Sequence, residues 1–142
     1  MQLPPRITTH LVQIEQAVRN VTMGQIAIEE FEALVDRLEK MFRQQLAEVE
    51  AVEVPPDFLG EMSDELQVGR AGVGLYIEAM GDFRVYLRER SLDILSRGLD
   101  KARRANDMVN EALARNWKTY NTYRQSTEEY LYHVHPDSWL QR

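Results

Sequence analysis

The residues able to do chemistry are few. Three histidines stand at His10, His133 and His135, and there is no cysteine. Without thiols there is no disulfide framework, thiolate metal site, cysteine nucleophile or iron-sulfur cluster. A carboxylate-bridged di-metal centre in a helical protein needs a glutamate three residues before a histidine. Those positions hold Ile7, Tyr130 and Tyr132, so that centre is absent. His133 and His135 with Glu129 make an incomplete ligand set, followed at once by Pro136, and read as a polar tail rather than a metal site. Ser63, Ser91, Ser96, Ser126 and Ser138 lie in no nucleophile elbow, and none has a histidine and a carboxylate at a recognisable spacing. The sequence therefore carries no catalytic, metal-ligating or cofactor-binding set, and a non-enzymatic role is expected.

Two glycine features need the same scrutiny. Gly24 followed by Ile26 and Glu30 resembles the second half of a calcium loop, but the ligand positions before it hold Arg19, Val21 and Met23, none of which can coordinate calcium. The bland reading is a helix C-terminus at Gly24, a short turn, and Glu29 and Glu30 in the first turn of the next helix. Gly69, Gly72, Gly74 and Gly81 lie inside a heptad-like pattern, with neither a preceding strand nor a Lys-Ser or Lys-Thr pair after them. They read as positions of close helix packing rather than as a phosphate cradle.

Partner chemistry concentrates toward the C-terminus. Residues 1–96 carry 9 basic and 17 acidic side chains, whereas 97–124 carry 7 basic (Arg97, Lys101, Arg103, Arg104, Arg115, Lys118 and Arg124) and 3 acidic. Six of the twelve aromatics (Trp117, Tyr120, Tyr123, Tyr130, Tyr132 and Trp139) fall within 23 residues. Clustered aromatics beside cations can anchor a protein partner or stack on single-stranded nucleic acid. A net charge of -6 disfavours nucleic acid, because most of the chain repels phosphate. Charge complementarity instead sets the basic stretch against Glu29, Glu30, Glu32, Asp36 and Glu39, within the chain or on a partner.

Helices must position these residues. Apolar residues recur at spacings of three and four in four stripes. The first runs Ile7, Leu11, Ile14, Val18 and Val21, with Thr8 or Thr9 able to cap it. The second begins at Ile28 and Phe31 and ends before Pro55 and Pro56, which cannot continue a helix. The third runs from Leu59 to Leu87, with Ser63 as a candidate cap should the helix start there. The fourth runs from Leu92 to Tyr123. A break is inferred at Arg88, Glu89, Arg90 and Ser91, because unbroken helix over 63–131 would reach ~100 Å.

Asn106 and Gln45 interrupt two of these stripes, either as buried polar contacts that fix register or as solvent-facing edges. The expected fold is all-α, a four-helix bundle of two antiparallel hairpins, 7–52 and 59–132, with linker 53–58 and tail 133–142. A fourth helix over 91–132 would span ~63 Å against ~38 Å for the second, so its end projects beyond the bundle. The alternative is a break at the weak helix formers of 116–122, folding the tail back.

With 142 residues, 44% of them hydrophobic, the chain suffices for one domain and core. The longest apolar run, 71–77, is far short of the ~20 residues a membrane span needs, and 1–10 lacks a signal-peptide core. A cytoplasmic, non-catalytic interaction or assembly module is therefore expected, self-associating through the last helix. Its anchors would be Trp117, Tyr120, Tyr123, Tyr130 and Tyr132, with Arg115, Lys118 and Arg124 matching charge. Nucleic-acid binding by 97–124 is the alternative.

Overall fold

A computed structural model describes residues 8–51 and 59–124, with side-chain packing over 8–51 and 64–115. Four helices follow one another, α1 (Thr9–Thr22), α2 (Ile28–Glu50), α3 (Leu59–Glu89) and α4 (Leu92–Arg124), and there is no strand among the described residues. The chain is an all-α helical bundle. The helices neighbour one another in a ring: the α3–α4 interface is the most extensive, α2–α3 follows, and α1 touches α4 and α2 more lightly. Among the described residues, neither diagonal pair brings its backbones into close approach.

Local chemistry sets each boundary. At the end of α1, Gly24 takes φ 70°, and the Gln25 and Gly24 amides donate to the carbonyls of Asn20 and Val21. This glycine-dependent cap satisfies carbonyls the helix leaves open. Glu29 and Glu30 then occupy the first turn of α2, where the helix dipole favours anions. Thr8 holds the N-cap position of α1, yet its side chain makes no capping bond, and Ser63 is internal to α3, so neither acts as the cap the sequence offered.

The inferred break between the long helices falls at Arg90 and Ser91. Arg90 adopts φ 58°, its Nε donating to the Leu87 carbonyl at 2.9 Å. The Ser91 Oγ accepts the Ile94 amide at 3.3 Å and caps α4. Helix α4 passes through 116–122 without the break that a folded-back tail would need there.

The stripes meet in one core. Phe31, Phe42, Val73, Met80, Phe83 and Leu113 are among its fully buried members. The Phe42 ring stacks on Tyr76 at 4.3 Å and 8°, and His10 meets Phe42 edge-on at 5.5 Å. The Tyr76 hydroxyl in turn donates to Asn106 Oδ1 at 3.2 Å, so this chain of contacts passes through all four helices at one level. Asn106 and Gln45 are each 4% exposed, which overturns the solvent-facing alternative for both. Asn106 takes the phenol across α3–α4 and marks the register of that pair.

Candidate interaction surface

The α3–α4 hairpin is the frame for the anticipated anchors. Its register follows from Tyr76 against Asn106, Gly72 against Val109, and Gly98 against Phe83. Continued along two antiparallel helices, that register sets 116–122 alongside the first turns of α3. Helices α3 and α4 have 31 and 33 residues, so through Arg124 the last helix outruns its neighbour by only ~3 Å, not by the several turns that the comparison with α2 alone had implied.

Both long helices do outrun the other two. Glu50, the last residue of α2, pairs with Arg70 at 3.5 Å, and α1 starts at Thr9 near the level of Phe42 and Tyr76. The described bundle therefore steps from four helices, to three, to a two-helix end made by the first turns of α3 and the last of α4. Positions 116, 120 and 123 continue the line of the buried residues Ala102, Asn106, Val109 and Leu113 into that end.

Of the anticipated contact residues, Arg115 is exposed and its guanidinium donates to Glu111 one turn earlier. Trp117, Lys118, Tyr120, Tyr123 and Arg124 lie on α4. Tyr130 and Tyr132 fall outside the described residues, as do Glu129, His133 and His135. No group of three or more metal-ligating side chains occurs among the described residues.

Four of the seven basic residues of 97–124 are paired within the chain, though not with the stretch the sequence singled out. Lys101 pairs with Asp82 at 3.1 Å, Arg97 with Asp82 at 3.5 Å, and Arg103 with Glu15 at 3.1 Å. Asp36 and Glu39 are instead held by Arg84 of α3, at 2.7 and 2.9 Å. The Arg84 hydrogen bond is the main cause that keeps the Glu39 carboxyl below its usual range. The ring order explains the difference: α2 and α4 stand on a diagonal, so Asp36 and Glu39 meet α3 rather than α4.

Close packing at glycine is also redistributed. A Cβ on Gly72 would lie 2.9 Å from Val109 Cγ2 and 3.1 Å from the Val109 nitrogen, so here the helices do touch through a glycine. Gly74 and Gly81 face open space, contrary to the packing reading. Gly98, which the sequence left unremarked, seats the Phe83 ring, 2.7 Å from where its Cβ would be. A glycine and a large aromatic each recurring in facing stripes were the available signal.

No helix among the described residues is long and apolar enough to cross a membrane. No family model, curated protein or solved structure matches the chain. The fold class is an all-helical bundle, in which the described residues leave α3 and α4 alone at one end.

Proposed function

We propose that this chain is a non-catalytic helical assembly module of the cytoplasm that self-associates through the C-terminal part of α4. The observation that carries the reading is the stepped bundle: α3 and α4 continue beyond α2 and α1. Two helices cannot by themselves enclose an apolar stripe, so such an end gains stability by packing against another surface. The positions concerned include Leu59, Met62, Tyr120 and Tyr123, flanked by Trp117. Tyrosine and tryptophan supply much of the energy of typical protein interfaces. Arg115, Lys118 and Arg124 add a cationic rim that orients an approaching partner.

The test is light scattering after size exclusion on the full chain and on Trp117→Ala with Tyr120→Ala, with circular dichroism confirming equal helicity. A wild-type dimer or larger species that falls to monomer in the double variant is the expected result. An unchanged mass in a folded double variant rejects α4 as the assembly surface.

A further inference from the structure

The outer face of the α1–α2 hairpin, far from the α3–α4 end, holds an open groove of about 390 Å³. Gln13, Gln16 and Asn20 form its α1 wall, Glu30 and Arg37 stand on α2, and Ala33 and Leu34 lie between those charges. Glu30 and Arg37 are both exposed, and neither has a salt-bridge partner among the described residues. Elsewhere on the same helix Asp36, Glu39 and Arg43 are paired, whereas Glu30 and Arg37 are opposite charges that line one groove.

The spacing has a consequence of symmetry. Seven residues return a helix to within about 20° of the same line, ~10 Å further along. Glu30 and Arg37 therefore lie on one line, and the midpoint between them falls between Ala33 and Leu34. Two copies of α2 laid antiparallel about a two-fold axis through that midpoint bring Glu30 of each against the Arg37 of the other. Ala33 and Leu34 meet at the axis, where the small alanine permits close helix approach. The face is self-complementary, as an isologous interface must be. Amides on the α1 wall both donate and accept, so they match either sign of charge entering the groove.

We propose that the α1–α2 groove docks a second copy of this chain, through antiparallel α2 helices held in register by two symmetry-related Glu30–Arg37 pairs. This contact is separate from the α4 surface and does not rest on it. The two would together give each subunit two assembly faces.

The experiment uses charge reversal at these two exposed positions, which leaves the core untouched. Glu30→Arg puts two arginines against two arginines at the axis, and Arg37→Glu does the same with glutamates. Each single variant is expected to dimerise at least about tenfold more weakly by sedimentation or light scattering over a concentration series. The double variant Glu30→Arg with Arg37→Glu restores both pairs and is expected to recover dimerisation. An equimolar mixture of the two single variants forms a heterodimer with the pairs intact, and is expected to associate where neither variant does alone. Repeating the series with Trp117→Ala and Tyr120→Ala present removes the α4 contribution, so failure of one surface is distinguishable from failure of the other. Three results overturn the proposal: a wild-type chain that leaves this association step unpopulated at every concentration, single variants that associate as wild type does, or a double variant and mixture that recover nothing. In the first case the groove is left to a partner of another kind.

Discussion

At the residue scale, Gly72 and Gly74 are two positions apart on one helix yet carry opposite demands. At Gly72 the obstacle to a side chain is in part the backbone of Val109, which cannot turn aside as a long side chain can. Gly72→Ala is therefore expected to destabilise the fold by about 1–3 kcal/mol, overpacking outweighing the gain in helix propensity. Gly74 meets nothing within 4 Å, so Gly74→Ala keeps only the gain and is expected to stabilise by about 0.5–1 kcal/mol. Urea unfolding of both variants checks the pair. Equal signs would show that α3 and α4 do not approach most closely at Gly72. The sequence offered both glycines as packing sites because periodicity tells which positions share a face, not how near the neighbouring backbone comes.

At the element scale, the junction of α3 and α4 shows a boundary made without glycine or proline. Arg90 takes a left-handed conformation that glycine adopts more cheaply, and its own Nε bonds to the last turn of α3. Ser91 then satisfies one of the open amides of α4. Ser91→Ala is expected to cost about 1 kcal/mol, read as a lower urea midpoint with an unchanged slope. A midpoint equal to wild type would mean that the hydroxyl contributes nothing beyond solvent. The position of this break was legible from helix length, and Ser91 with Asp93 in the first turn was the local signal for it. The four helices were legible in the same way, since each buried stripe recurs at helical spacing. Their ring order was not. Charge counting alone set α4 against the acids of α2, whereas packing sets it against Glu78, Asp82 and Glu15. Periodicity names an apolar face without naming its partner, and only assembly of all four faces decides which charges meet. The candidate surface was legible as a cluster of residue types, but not as an end of the hairpin. Among the described residues that end arises because α1 and α2 are shorter than α3 and α4, a relation among elements rather than a property of any one.

At the scale of the whole molecule, the helices do not share the core equally. Helix α3 lies between α2 and α4 and buries Val73, Tyr76, Ala79, Met80, Phe83 and Tyr86, whereas α1 contributes Ile14, Ala17, Val18 and Val21. Its ion pair to α4, Glu15–Arg103, is partly solvent-exposed and so adds at most about 1 kcal/mol. Helix α1 is thus the unit expected to open first, at a free energy below that of global unfolding. His10 ties this opening to pH. Burial against Phe42 holds its imidazole below the ordinary value of 6.5, and its Nδ1 has no hydrogen-bond partner among the described residues. The lowered pKa means that the released helix binds a proton more readily than the docked one. Docking is then fully favoured above pH 6.5 and weakens as pH falls through 6.5 toward the lowered value. Native-state hydrogen exchange at neutral and mildly acidic pH is expected to show α1 amides losing protection on acidification, after correction for intrinsic rates, while central α4 amides change less. His10→Gln removes the titrating ring and is expected to flatten the response of α1 while costing some packing at every pH. Protection in α1 that falls equally with pH in wild type and variant would assign the linkage to another group. Equal opening free energies for α1 and α4 would instead make the bundle a single cooperative unit.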